Sequence, residues 1–155
     1  MIGFNALLRD EGIDPNDVKL ARHQDKRFRG SPTPYALWRK ADGQLELYQR
    51  IQKRAVFKDA ALLAAFVATP SNDTLFVGLY RINGVEPVPD GLVDPIAGAD
   101  SGCKYFYELE LVGKLADYQG RLVVNWGRAY RTWVQLAHRQ DKAVMEIRKA
   151  TGRRC

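Results

Sequence analysis

The sequence predicts an α+β domain in which helices come first and a curled, mostly antiparallel β-barrel follows. Apolar residues recur at helical spacing in the first third of the chain. From residue 61 onward, about six short runs rich in Val, Leu and Phe are separated by turn residues, which is typical of strands. A chain of 155 residues fits one domain. We therefore expect a single domain over 1–155, with a helical, basic part at 1–58 and a β-rich part at 59–155.

The first element is a helix over "FNALLRDEGI", for which Asn5 is a candidate cap and Gly12 a stop. The stretch "DPNDVKLARH" then predicts a turn and a short strand. A loop punctuated by glycine and proline follows in "RFRGSPTPY".

The next two elements are predicted to be helices that form a lid over one end of the barrel, within residues 33–53. Thr33 can cap the first of them, with Pro34 in the first turn, where a missing N–H group costs nothing. The second, "QLELYQRIQK", places Leu45, Tyr48 and either Ile51 or Gln52 on one face.

The strands begin with "LLAAFVATP" and "TLFVGLYRI", which "SND" joins as a β-hairpin. Residues 84–102 are rich in proline and glycine and predict a long loop. The alternation in "KYFYELELV" predicts a strand, and "KLADYQG" predicts a short helical turn closed by Gly120. Three more strands are expected in "RLVVNW", "RTWVQLA" and "AVMEIRK".

Composition argues for a cytoplasmic protein without a membrane span. No run of 18 apolar residues occurs, and the N-terminus lacks the pattern of a secretory signal. Cys103 and Cys155 are the only cysteines, and Cys155 is the last residue, so free thiols in a reducing compartment are expected.

Charge is distributed in blocks. Residues 19–58 carry eleven basic and three acidic side chains, and residues 119–155 carry nine basic and two acidic ones. Between them, residues 59–118 carry three basic and nine acidic side chains. If the two basic blocks meet in space, they form the positive face of a polyanion-binding protein. The alternative is a solvated basic surface without a partner.

Two near-copies of one hexapeptide contain both histidines of the chain. His23 lies in "ARHQDK" at residues 21–26, and His138 lies in "AHRQDK" at residues 137–142. Their flanking sequences do not match, so an internal repeat is rejected. Two loops at strand ends can still converge on one cleft, and we expect these two to do so.

The motifs of common catalytic sites are missing from the sequence. It contains no G-x-S-x-G elbow, no phosphate-binding glycine loop and no clustered carboxylates. We therefore predict no catalytic residue, no metal site and no cofactor in this chain.

Binding chemistry is better represented, because both basic blocks interleave aromatic, amide and cationic side chains. The candidates to stack on a base are Tyr35, Trp38, Trp126 and Trp133. The candidates to read base edges are His23, Gln24, Gln135, Gln140 and Asp141. The candidates to hold phosphates are Arg22, Lys26, Arg27, Arg29, Arg39, Arg131, Arg139 and Lys142. Core packing is the competing role for Trp38 and Trp133.

Several motifs resemble, in the same order, the N-terminal region of bacterial GIY-YIG nuclease family proteins. They include "FNALLRDEGIDPNDVKLARHQDKR", "TPYALWR", "LADYQGRLVVNWG" and "WVQLAHRQDKAVMEIR". In that family the catalytic module follows this region, and "VGLYRI" is not the paired GIY and YIG signature. The resemblance implies a DNA-recognition domain that targets a nuclease module which this chain lacks.

A second likeness concerns the fold. The strand pair "AAFVATPSNDTLFVGLYRI" followed by "YFYELEL" is similar to the core of PUA-like barrels, the group that includes EVE and SRA domains. Such domains often accept a flipped or modified base between barrel and helices. The sequence therefore predicts a domain that binds duplex DNA and reads a modified or flipped base. The alternatives are an RNA-binding PUA-like module, a small enzyme that uses His23 and His138 as acid and base, and a module that meets an acidic protein.

Overall fold

A computed structural model describes residues 2–25, 30–71, 73–98, 102–125, 135–136 and 144–147. The helical elements are α1 (Phe4–Asp10), α2 (Pro34–Lys40), α3 (Gln44–Arg50) and the short 3-10 turns η1 (Pro15–Asp17) and η2 (Ala116–Tyr118). The strands are β1 (Ile2–Gly3), β2 (Val18–His23), β3 (Ile51–Gln52), β4 (Leu62–Ala68), β5 (Thr74–Pro87), β6 (Tyr105–Leu111), β7 (Leu122–Asn125), β8 (Gln135–Leu136) and β9 (Val144–Ile147). None of the helices in these ranges is long and apolar enough to cross a membrane.

The N-cap of helix α1 lies two residues before the predicted cap, Asn5. Strand β1 leads directly into it, so Gly3 is the N-cap residue and makes no side-chain cap. The expected cap, Asn5, instead lies inside the helix with no exposed surface. The Asn5 prediction is wrong because the pairing of β1 with β9 fixes where the extended backbone ends.

The two lid helices form largely as predicted. Thr33 caps α2, since its Oγ1 accepts a hydrogen bond from the N–H of Ala36 at 3.1 Å, and Pro34 follows it. Helix α3 ends at Arg50, earlier than the sequence pattern suggests. The next residue, Ile51, is extended because β3 pairs with β6.

The α+β class is confirmed, but the sheet is mixed rather than mostly antiparallel. The described strands form a curled half-barrel in which β2 and β4 run parallel over six residue pairs, whereas β4 and β5 are antiparallel. The parallel pair arises because the chain returns from β2 to β4 through α2 and α3. Parallel neighbours need such a crossover.

The central strand β4 is covered on both faces. Ala64 and Phe66 face the cluster that contains Phe4, Leu7 and Leu8 of α1. The alternate residues Leu63, Ala65 and Val67 face the cluster that contains Leu37 of α2 and Leu45 of α3. A strand buried on both faces has a continuous apolar sequence, which explains why "LLAAFVA" does not alternate.

A β-bulge redirects the side chains of β5. Ala65 pairs with Gly78 and Phe66 with Phe76, so β5 has one extra residue at this point. The extra residue reverses the alternation of β5, and Tyr80 therefore lies on the α2/α3 face of the sheet. Gly78 makes room for it, because a Cβ atom there would lie 3.0 Å from the Tyr80 hydroxyl.

Strand β5 also extends into the predicted loop. It continues to Pro87, which pairs with Tyr105 of β6, so the expectation of a loop beginning at residue 84 is wrong. The backbone stays extended because β6 pairs with β5 as far as Tyr105, past a register shift between Ile82 and Gly84.

Candidate functional site

Four polar side chains meet on the α2/α3 face of the sheet, and we call them the polar cluster: His23, Tyr48, Gln49 and Tyr80. His23 is the last residue of β2 and shares the face of Ala21. Tyr48 and Gln49 come from α3, and the bulge in β5 supplies Tyr80. Three separate elements thus place hydrogen-bonding groups around one point beneath a helix.

Gln49 forms the floor of the polar cluster. The residue is 1% exposed, and both its Nε2 and its Oε1 are buried without a regular hydrogen bond. The amide nevertheless lies close enough to His23 and Tyr80 to influence the pKa of each. Most buried polar groups in folded proteins are hydrogen-bonded, so an amide left in this state is a candidate ligand contact.

His23 lies between the floor and the solvent. The residue is half-buried, yet its Nε2 is fully enclosed and makes no hydrogen bond of regular geometry. Burial lowers the pKa of His23 to about 4, against a smaller opposing effect of the Gln49 amide. His23 is therefore neutral at pH 7, and its ring offers one donor and one acceptor.

Tyr48 is the second half-buried member and covers His23. Their ring centroids lie 5.3 Å apart at an interplanar angle of 62°. Burial raises the pKa of Tyr48 to about 12, with smaller contributions from the nearby Asp94 and Cys103. The Tyr48 hydroxyl consequently remains protonated and able to donate.

Asp94 holds the turn at residues 94–97, which lies next to the polar cluster. Its Oδ1 accepts hydrogen bonds from the N–H groups of Ile96 at 2.8 Å and Ala97 at 3.0 Å. This turn places Ile96 in the same apolar cluster as Leu45 and Tyr80. The carboxylate of Asp94 therefore has a structural role in shaping the loop.

A basic segment follows α3 and is firmly held. Tyr107 donates to the Arg54 carbonyl and accepts from the Phe57 N–H, each at 3.2 Å. The Phe57 ring is buried edge-on against Tyr107 at 5.3 Å. These contacts leave Lys53, Arg54 and Lys58 exposed on an ordered backbone. From the sequence alone, these three cations are members of the basic block at residues 19–58 and no more.

Arg22 is a predicted phosphate contact and His23 a predicted base-edge contact, and the two residues lie on opposite faces of the sheet. Successive residues of a strand alternate in direction, and Arg22 follows Leu20 to the α1 face. There its Nε donates to Thr74 Oγ1 at 2.7 Å. Burial lowers the pKa of Arg22. This arginine is therefore separated from the polar cluster by the thickness of the sheet.

The predicted residues of α2 lie near the second core. Tyr35 and Trp38 are half-buried and pack against the apolar cluster that holds Tyr80. The Trp38 ring rests on Gly120, where a Cβ atom would lie 2.9 Å from Cζ2. The guanidinium of Arg39 lies 5.7 Å from the centre of the Tyr35 ring. Trp38 is thus engaged in packing, whereas Arg39 is partly open to solvent.

Gln24 is half-buried just beyond β2, next to His23. Gln135 lies in β8, where its backbone pairs with Leu20. The remaining predicted residues lie outside the described part of the chain: Lys26, Arg27, Arg29, Trp126, Arg131, Trp133, His138, Arg139, Gln140, Asp141 and Lys142. The expected convergence of the two hexapeptides involves these residues and stays a prediction.

Sequence reasoning missed Gln49 and Tyr80. Gln49 follows Leu45 by four residues, so it is a polar residue on the apolar stripe of α3, and this signal was available. Tyr80 gave no such signal, because the bulge that turns it toward Gln49 depends on strand pairing.

Among the residues that the structure describes, no group of three or more His, Cys, Asp and Glu side chains could hold a metal ion. No protein-family model, curated protein or solved structure matches this chain.

Proposed function

We propose that this protein is a DNA-binding recognition domain that reads a base at the polar cluster. The observation that carries the proposal is the buried Gln49 amide beside a neutral His23, with exposed cations on the segment that follows α3. Neutral groups with both donors and acceptors suit a base edge, whereas cations suit phosphates.

The distribution of charge supports this division of roles. The described members of the first basic block include Arg39 at the end of α2 and Lys53, Arg54 and Lys58 after α3. Arg50 is less available, because it donates to Glu46 Oε1 at 2.7 Å and to the Leu109 carbonyl at 2.8 Å. The exposed cations supply a salt-sensitive attraction for a phosphate backbone.

The motifs quoted from the sequence imply a more specific fold and partner, and the proposal includes both. The domain is a PUA-like recognition module that accepts a modified or flipped base, and its partner is a GIY-YIG nuclease module in longer relatives. Helices α2 and α3 pack on one face of the mixed, half-barrel sheet, and the polar cluster lies where α3 meets β2 and β5. On this proposal the chain binds DNA and does not itself cut it.

Fluorescence polarisation with short DNA duplexes tests the proposal. The duplexes are unmodified or carry methylcytosine, hydroxymethylcytosine or methyladenine, and each is titrated over a salt series. We expect modification-selective binding whose affinity falls as salt rises. An equivalent RNA duplex that binds better would favour the RNA-binding alternative. Absence of DNA binding at low salt would refute the proposal.

A matched pair of arginine variants locates the phosphate contacts. Arg39→Ala is expected to reduce the salt slope by about one unit, the loss of roughly one phosphate contact. Arg81→Ala is the control, because Arg81 is exposed on β5 and paired with Glu110 at 2.8 Å. An equal effect of both variants would remove Arg39 from the interface.

A further inference from the structure

The polar cluster contains a residue suited to decide which base is bound. We propose that Gln49 determines base specificity, by pairing its amide with a neutral base edge that offers a donor beside an acceptor. This inference rests on the proposed function. It adds which residue selects the base and which hydrogen bonds it uses.

The fixed position of Gln49 supports this role. Helix α3 is tied to the sheet by Arg50, which donates to the Leu109 carbonyl of β6 at 2.8 Å, and Glu46 of the same helix holds the guanidinium at 2.7 Å. The backbone carbonyl of Gln49 also accepts from Gln52 Nε2 at 2.7 Å. The amide group is therefore presented from a rigid backbone, which a selective contact requires.

The nitrogen and oxygen of the Gln49 side-chain amide indicate which groups a ligand must offer. Nε2 can donate and Oε1 can accept, and neither makes a regular hydrogen bond within the protein. Side-chain amides pair in this bidentate manner with base edges. A charged group is disfavoured here, because the side chains next to the amide are neutral His23 and the protonated Tyr48 and Tyr80. The nearby charges already have partners: Arg50 is paired with Glu46, and Asp94 accepts from two backbone N–H groups.

His23 and Tyr48 define the route to the floor. Both residues are half-buried, whereas Gln49 and Tyr80 are buried, so a base would approach past these two rings, which meet edge to face. Their flat faces are suited to contact a heterocycle while its edge meets the amide.

The test compares base preference in the wild-type protein and in Gln49→Met. The probes are short single strands made only of adenine, only of cytosine or only of thymine, together with the corresponding free nucleosides. We expect the wild type to prefer its best base over its worst by about tenfold or more. Gln49→Met is expected to bring that ratio close to one. Gln44→Met, the same change at an exposed position of α3, is expected to retain it.

Each outcome bears on a separate claim. Strand binding without base preference, or a preference that survives Gln49→Met, would overturn the role of Gln49 and leave DNA binding in place. Base-selective binding of free nucleosides without binding of strands or duplexes would support Gln49 and refute the proposed DNA function. Binding of no probe at all would refute both. A thermal melt of each variant confirms that it is folded.

Discussion

Replacing Gln49 with methionine is expected to make the protein more stable while removing its base selectivity. Methionine has a similar length and flexibility but no polar group to desolvate. Gln49 is 1% exposed, and its two amide atoms lack regular hydrogen bonds. A residue retained at a cost in stability is expected where it serves binding.

The expected gain in the free energy of unfolding follows from the burial of the amide. An unsatisfied buried polar group costs about 1–3 kcal/mol. The nearby His23 and Tyr80 recover part of that cost, since the amide influences the pKa of each ring. We expect Gln49→Met to raise the free energy of unfolding by about 1–2 kcal/mol, which corresponds to a rise in Tm of roughly 2–8 °C.

Urea denaturation followed by circular dichroism, with a thermal melt, measures the change. Gln44→Met is the control and is expected to alter the free energy of unfolding by less than about 0.5 kcal/mol, because Gln44 is exposed. A clear loss of stability in Gln49→Met would refute the reasoning. It would mean that the amide is well hydrogen-bonded in solution and contributes to the fold.

Other predictions concern titration, backbone strain and capping. His23 has a pKa of about 4 in the folded state, below its unfolded value, so stability is complete above pH 6.5 and falls as pH drops toward 4. His23→Gln is expected to remove about 3 kcal/mol of this acid sensitivity in urea titrations at several pH values; an unchanged pH profile would contradict the burial of His23. Gly120→Ala combines a φ of +72° with a contact of 2.9 Å to Trp38 and is expected to cost about 2–4 kcal/mol in a thermal melt. Gly43→Ala, with a φ of +84° and open space, is expected to cost only about 1–2 kcal/mol, and equal losses would rule out the Trp38 contact. Thr33→Ala is expected to destabilise α2 by about 1 kcal/mol, whereas Thr33→Ser is expected to be nearly neutral in the same melt, and similar losses in both would argue against the cap.

Local sequence rules predicted the elements that depend on local chemistry. The Thr33-Pro34 start of α2, the strand in "VKLARH" and the turn closed by Gly120 each follow from a few neighbouring residues. The two strands that follow residue 61 also formed a pair, as their apolar composition indicated.

Features set by long-range pairing were missed. The end of α3 at Arg50 and the extension of β5 to Pro87 depend on β6, which comes later in the chain. Asn5 reads as a cap in isolation, but the preceding strand moves the helix start. The parallel pairing of β2 with β4 depends on where the crossover through α2 and α3 returns.

The candidate site divides in the same way. The sequence by itself determined the blocks of charge, the presence of a histidine at position 23 and the aromatic and amide residues around it in the chain. All of these are properties of residue identity. Only the tertiary structure decided that His23 and Tyr80 both approach Gln49 while Arg22 lies on the opposite face. The physical reason is that strand alternation, one β-bulge and the docking of α3 together set the direction of each side chain. Each of these depends on contacts between residues that are distant in sequence.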